Sequence, residues 1–568
     1  MNAPVQPQAS KASANLLLLR AQNATPEEGV RLRIAAAKAL LEQNNFTAVL
    51  NALAPLDSES LPTSDLDQLA NLRAEALFDL GRFVEADGYL RTASNLNGSG
   101  HLLLANICSR LADYTCAADN YITASLSTTL TAHELPADIN ELIWRALSRA
   151  PAPPEFFVDP EHRAWWNLRD QLSTADSISK QRSSWAQWKS QHPEHPAQLS
   201  PPASLRRLES YKAPQIAVLL PLSGPYAEAA KSVRDGLIAA YMTERPSDQP
   251  QVKLYDTGNA SISELYGQAL EDGAEVFVGP LIKDEVEAFV ELSAHSEIPR
   301  LVLNYLSTDK TPSLNPSKKR QEAGVKTTPL YQFGISIEDE ALSLSNYILA
   351  SGVTNLLLVH SDTRWSQRAL AAFQSVWPYP LTIAPFGTVK DLTGAVGQAM
   401  QVQASETRKK DLSRIIGEPV EFLARARQDL DAVVALTNQL EAQALLPALR
   451  FHFAGELPVY ATSQASIGEA LAELAGIHMT EMPINAHPTP EQRQLQLAFD
   501  LQSDPLIELY ALGFDAFRLA NWLPVWSPDN EITVPAAAGY LQLESPGAFR
   551  RVLSLSQVNH QGRRTSNK

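Results

Sequence analysis

The sequence predicts two unlike halves: an all-α unit of helical repeats, then an α/β unit of two Rossmann-like lobes. Three observations carry this. From about residue 27 to 150 the chain is rich in Ala and Leu at helical spacing, with no credible strand. Within that stretch a short aromatic pattern recurs at the spacing of a helix hairpin. From Gln215 onward, short apolar runs alternate with amphipathic stretches, the rhythm of βαβ units around a parallel sheet. A chain of 568 residues is long enough for several compact units, each burying its own core.

Residues 1–26 read as a flexible segment and 27–190 as a tetratricopeptide-like helical domain. In QNNFTAVLNAL, Phe46 stands three before Val49. In LGRFVEADGYL, Phe83 stands three before Ala86, and in LADYTCAADNYI, Tyr114 stands three before Ala117. The aromatics are 37 and 31 residues apart, which brackets the roughly 34-residue tetratricopeptide period. A turn (Asn44-Asn45, Gly81-Arg82, Ala112-Asp113) ends one helix, an aromatic opens the next, and a small residue one turn later lets the pair approach. No copy holds the full consensus, and a plain helical bundle is the alternative. Stacked hairpins serve as docking surfaces rather than catalytic centres. Cys108 and Cys116, the only cysteines, either form a disulfide across a hairpin or stay as two small buried thiols.

PAPPEFFVDP reads as a Pro-rich joint. Trp165, Trp166, Trp185 and Trp188 follow on helical stretches, as core packing or, less simply, as a stacking platform for sugars. HPEHPAQLSPP carries too many prolines for a helix, so 191–213 reads as a linker.

Residues 214–556 form the α/β unit and 557–568 a disordered tail. QIAVLLPL, QVKLYDTG, AEVFVGPL and PRLVLNYL are the strands of a first lobe, separated by helices. The rhythm restarts with the helix ALSLSNYILASG and the strands VTNLLLVH, LTIAPFGTV, DAVVALT and PVYATS, with a helix running through RQDL. Ligands of such sheets bind at the carboxyl ends of the strands. Those ends carry Ser223, Gly224 and Tyr226, Gly279 and Pro280, Asn304 and Tyr305, His360, and Ser463, the candidate ligand cleft.

Charge and motif narrow the function. With a net charge of −16 and one small basic cluster (Arg563, Arg564, Lys568), the chain has no stripe to neutralise phosphates, so no nucleic-acid partner is expected. No apolar run reaches the length of a membrane span, and the start lacks the order of regions of an export signal. The chain is therefore expected to be cytoplasmic, or a mature form whose signal is gone. Scattered histidines and the absence of CxxC or HExxH predict no metal, and no cofactor is expected. Asp429 and Asp431, or Glu338, Asp339 and Glu340, stand too close in sequence to flank a scissile bond. Asp429 is expected to brace its junction beside Arg427. Ser463 has no nucleophile elbow, and SGPYAEAAKS has no phosphate-binding Lys-Ser/Thr pattern, so no catalytic residue is predicted.

PLSGPYAEAAKSVRDGLIAAY resembles the first strand, loop and helix of type I periplasmic binding proteins, with VFVGPL similar to their third strand and LYALGFDAF to their late helix. The resemblance implies a type I periplasmic-binding-protein fold, in which loop hydroxyls and helix N-termini meet the ligand. IAVLLPLSGPYAEAAKSVRDG (216–236), RQDLDAVVAL (427–436), LLPALRFHFAGELPVYATS (445–463) and the W-x-x-W…HPEHPAQL stretch (185–199) resemble one family over nearly the whole chain: the LppC/LpoA outer-membrane lipoproteins. That resemblance implies a periplasmic protein, lipid-anchored in the outer membrane, that touches penicillin-binding protein 1A and stimulates its transpeptidase. Met1-Asn2 stands where family members carry a lipidated Cys, which implies a soluble form. The competing reading is a solute receptor closing on a small polar ligand or cell-wall fragment. Gly279-Pro280-Leu281-Ile282 weakens it, being poor in the hydroxyls that amino-acid receptors present there. The long stretch 389–426, with Arg408, Lys409, Lys410, Asp411 and Arg414, is either a partner-contact insertion or a solvated excursion.

Overall fold

A computed structural model describes residues 8–566 except 57–60, 132, 152, 154–158, 176, 307–329, 419–426, 467–470, 487, 499–505, 526–532 and 545–546. Two units emerge: Met1–Thr174 with Arg182–Glu209, and Ala175–Gln181 with Ser210–Lys568.

Each aromatic echo in the first unit opens the second helix of a hairpin. The pairs are Pro26–Leu41 with Phe46–Leu53, Thr63–Asp79 with Phe83–Arg91, and Gly98–Arg110 with Tyr114–Leu126. All three turns close in the same way. The residue two before the aromatic is left-handed: Asn44 at φ 55°, Gly81 at 75° and Ala112 at 59°. The next N–H then reaches back five residues, Asn45 to the Leu40 carbonyl (3.0 Å), Arg82 to Leu77 (2.8 Å) and Asp113 to Cys108 (2.9 Å). This closure ends the first helix by using its orphan carbonyls. The side chains of Asn45 and Asp113 cap the helix that follows. Val49, Ala86 and Ala117 are fully buried, as the hairpin logic requires. Of these three turns, only that of Ala112 puts a residue other than Asn or Gly at the left-handed position, and it is the turn spanned by the Cys108–Cys116 disulfide, Cα atoms 5.9 Å apart.

Two expectations for this region change. The chain is helical from Gln8 to Gln22, not flexible to residue 26, because Ala14 and Leu18 join the core of Val30, Ile34 and Leu53; residues 1–7 lie outside the described residues. The expected linker 191–213 is also structured. Pro196–Leu199 forms a helical turn with Pro196 in its first turn, where a missing N–H costs nothing, and Ala203–Glu209 forms another. Trp165, Trp166, Trp185 and Trp188 are all buried. Trp188 stacks on Trp185 (5.5 Å) and meets His192 and His195 at 4.7 and 4.8 Å, so the HPEHP stretch completes this core. Burial pushes the His195 imidazole down to about 4. Most of PAPPEFFVDP lies outside the described residues.

In the second unit the strands are β1 Gln215–Leu220, β2 Gln251–Asp256, β3 Val276–Val278, β4 Arg300–Val302, β5 Leu330–Phe333, β6 Leu356–Ser361, β7 Leu381–Phe386, β8 Ala432–Leu436, β9 Val459–Ala461 and β10 His478–Glu481. They continue with β11 Thr533–Ala536, β12 Gly539–Glu544, β13 Ala548–Val552, β14 Ser554–Val558 and β15 Arg564–Ser566. The described strands make two sheets, β2-β1-β3-β4-β5-β13-β12-β11 and β7-β6-β8-β9-β10-β14-β15. Both begin with the parallel order 2-1-3-4-5 of a doubly wound fold, so the second lobe repeats the first. The helices Ala227–Thr243 and Ile507–Trp522 cross in the first lobe at paired glycines. A Cβ on Gly513 would stand 1.8 Å from the Val233 carbonyl oxygen, and one on Gly236 1.9 Å from that of Tyr510.

The closing strands depart from expectation. The tail 557–568 was expected to be disordered, yet Val558 ends β14 and β15 pairs with it, Ser556 opposite Ser566; residues 567–568 are not described. These strands are short and polar, and pairing with a formed neighbour holds them. The expected helix through RQDL is absent from 427–430, and the described helix there is Val402–Ile416. Arg427 instead grips Asp429 at 2.7 and 2.6 Å, while Asp431 accepts the Asn355 N–H at 2.9 Å and holds the start of β6.

Candidate functional site

The chain passes between the two lobes of the α/β unit three times: after β5 into the helix Ile337–Ala350, after β10, and between β13 and β14. Ser336 caps that helix by accepting the Asp339 N–H at 3.2 Å, which sets Asp339 and Glu340 in its first turn. Both are buried, at 1% and 2% exposure.

Asp339 turns to the first lobe. Its carboxylate accepts the Arg551 N–H at 3.3 Å, stands 3.2 Å from the Tyr305 hydroxyl, and lies 3.6 and 3.5 Å from the guanidinium groups of Arg551 and Arg550. Glu340 turns to the second lobe. It accepts from the Ser463 N–H (2.8 Å), the Ser463 hydroxyl (2.9 Å) and the Thr480 hydroxyl (2.7 Å). Arg551 donates to the Ser336 carbonyl at 2.8 Å, and Ser343 accepts the Leu553 N–H at 3.1 Å. One acid pair therefore reaches all three crossings. Two carboxylates face two guanidinium groups, that of Arg551 buried and that of Arg550 partly exposed. Burial still pushes the Asp339 carboxyl up to about 6, against the pull of Arg551 and Arg550.

The predicted cleft residues meet different fates. Tyr305 donates to the Phe549 carbonyl at 2.6 Å and carries Arg550 over its ring at 4.5 Å. Burial and the Asp339 charge raise its phenol well above the ordinary value. Asn304 donates to the Leu281 carbonyl (3.1 Å) and accepts the Tyr305 N–H (2.9 Å). Ser463 is taken up by Glu340. His360 is buried and its Nδ1 sits 2.9 Å from the Ser361 carbonyl. Gly279, followed by Pro280, presses on β1, with a Cβ there 2.2 Å from the Leu219 oxygen. The Ser223 N–H donates to Asp256 at 3.1 Å, next to the left-handed Gly224, while Tyr226 is exposed. The structure thus gathers Tyr305 and Ser463 around the acid pair and leaves Ser223, Gly224 and Tyr226 on the β1 loop.

Sequence reasoning noted Asp339 and Glu340 only as neighbouring acids, and it missed Thr480, Ser343 and Arg551. The readable signal was a run of three acids, Glu338, Asp339 and Glu340, following the helix cap Ser336. Nothing local marks Arg551.

Arg408, Lys409, Lys410, Asp411 and Arg414 lie on the exposed face of Val402–Ile416, with Asp411 and Arg414 paired at 3.3 Å. Leu412, Ile415 and Ile416 are exposed on the same helix, Ile415 at 82%. The end of the predicted insertion, 419–426, lies outside the described residues. Asp113 stands beside Cys108 and Cys116, but both sulfurs are engaged in the disulfide and offer no thiolate ligand.

The fold is that of a helical-repeat protein carrying a two-lobed, type I periplasmic-binding-protein-like unit. The chain belongs to the LppC family, described as "LppC putative lipoprotein", which matches residues 7–559. A relative from Photobacterium profundum, "Penicillin-binding protein activator LpoA", is 25% identical over 98% of this chain and 92% of its own. One of the same name from Vibrio cholerae is 23% identical over 96% of this chain and 92% of its own. Crystal structures of LpoA from Haemophilus influenzae are similar along the whole chain. The full-length form has a TM-score of 0.51 at 20% identity, covering 98% of both chains, and a monoclinic form reaches 0.56 at 20% identity, covering 99% of both. At that identity the likeness speaks for the fold. Among the described residues no helix is long and apolar enough to cross a membrane.

Proposed function

We propose that this chain is a non-catalytic regulator of peptidoglycan synthesis, which binds penicillin-binding protein 1A and stimulates its transpeptidase. The observation that carries this reading is similarity along 98% of the chain to a relative named as a penicillin-binding protein activator, both units included. The family's description as a lipoprotein supports a native form lipid-anchored on the periplasmic side of the outer membrane. The strand-end residues favour an activator over a solute receptor, since Asn304, Tyr305 and Ser463 spend their polar groups on the protein itself.

The contact surface in this reading is the helix Val402–Ile416. Its exposed Leu412, Ile415 and Ile416 supply apolar anchors, and Arg408, Lys409, Lys410 and Arg414 supply the charge that orients a partner. Stimulation then requires that the chain bind the active conformation of the synthase more tightly than the resting one.

The test is peptide cross-linking by the cognate penicillin-binding protein 1A, with and without the full chain. Cross-linking rises with the chain present; no change at saturating concentration defeats the proposal. Reversing Arg408, Lys409, Lys410 and Arg414 to Glu weakens stimulation by about tenfold or more while leaving the melting profile in place. Full stimulation by that variant moves the contact elsewhere.

A further inference from the structure

The two lobes share the strand order of a fold that closes around ligands, and closure requires the three crossings to bend together. Here the crossings are tied to one another. Asp339, at the first, binds Arg551, which leads into the third. Glu340, its neighbour, binds Thr480 at the end of β10, which leads into the second. Ser343, one turn further along the helix, donates to the Asp339 carbonyl at 2.8 Å and accepts the Leu553 N–H at the third crossing itself. From the first lobe Tyr305 adds its hydroxyl, and from the second Ser463 adds its N–H and hydroxyl.

We propose that the Asp339–Glu340 pair is a hinge lock, which holds the two lobes of the α/β unit in one fixed relation. Each acid faces a different lobe, and a helix's first turn holds the two side chains rigidly to each other. The helix that carries both acids packs Ala341, Leu344 and Ile348 into the core of the second lobe. Bending between the lobes therefore separates Asp339 from Arg551 and Tyr305, while Glu340 fixes that helix to Ser463 and Thr480 of its own lobe. That separation leaves a charge and several donors buried without partners, which is the costly way to break such a group. The α/β unit is therefore a rigid platform that keeps the receptor fold without its motion. This inference rests on the crossings alone and stands or falls apart from the partner proposed above.

The test is a distance measurement between spin labels in the full chain. Glu271→Cys places one label on an exposed position of the first lobe and Gln374→Cys one on the second. The native cysteines are bonded to each other and take no label. The chain with the lock intact gives a single narrow distance distribution, and two populations overturn the proposal. Glu340→Ala in the labelled chain adds a second population. A folded Glu340→Ala chain, checked by circular dichroism, with the original distribution also overturns it. Should Glu340→Ala not fold, Ser463→Ala with Thr480→Val removes the second lobe's hydroxyl bonds and leaves the acid in place. That pair broadens the distribution, and an unchanged width overturns the lock.

Discussion

The hairpin turns of the first unit and the crossings of the second hold the chain by opposite means. A hairpin turn closes on itself: Asn45, Arg82 and Asp113 each bond a carbonyl five residues back. The crossings are closed by residues far apart in the chain, 123 for Ser463 with Glu340, 140 for Thr480 with Glu340 and 212 for Arg551 with Asp339. A turn's bonds are neutral and near water, so losing one is a small event. The crossings bury charge, so their groups succeed or fail together. The cost of a substitution therefore follows how far its bonds reach and how dry they are, rather than how many there are.

The largest effect is expected where that difference is greatest. Glu340→Ala strips partners from Ser463 and Thr480 and unbalances Arg551, and should destabilise the α/β unit by about 3–5 kcal/mol in a urea titration. A loss below about 1 kcal/mol would show that the crossings behave like the turns. Next comes pH. The folded chain holds the Asp339 proton to about pH 6, above the ordinary aspartate value, because burial outweighs Arg551 and Arg550. Its contribution to stability is thus fully present below the ordinary aspartate value of about 4 and is lost as pH rises from there through about 6. Asp339→Asn should flatten the melting temperature of the α/β unit over that window, and an unaltered slope would assign it to another group.

The disulfide sharpens the other side of the comparison. Replacing Cys108 and Cys116 by Ser should lower the stability of the helical unit by about 2 kcal/mol, the scale of a short closed loop. Adding Ala112→Gly should recover about 1 kcal/mol by relieving the left-handed backbone, both read from thermal melts. The smallest effect belongs to an exposed pair. Arg427 holds the Asp429 carboxyl down to about 2, yet Asp429→Ala should cost well under 1 kcal/mol, since water screens the pair. A larger loss would mean that Asp429 supports β8 in some further way.

Much of the architecture was legible because its signals are local. Phe46, Phe83 and Tyr114 marked the hairpins, since a turn residue, an aromatic and a small residue recur there at the spacing of a helix hairpin. The apolar runs of β1, β3, β6 and β8 marked the sheets, since strands covered on both faces must be apolar throughout. The polar strands β10, β14 and β15 carried no such mark and form because a neighbour offers an edge. His192 and His195 read as linker residues in the sequence, yet Trp188 packs on both. The strand-end residues do follow their strands, but their use was not legible. Asn304, Tyr305 and Ser463 have the polar groups a ligand needs, and which partner takes them depends on what folding brings alongside.

Composition and spacing were thus enough for the two kinds of unit, the repeated turn and the doubly wound sheets, because short-range sterics and the period of apolar residues dictate them. Folding in three dimensions settled the pairing of Asp339 with Arg551 and of Glu340 with Ser463 and Thr480. Partners so distant in the chain leave no periodicity, and a buried charge is balanced by whatever stands beside it in space.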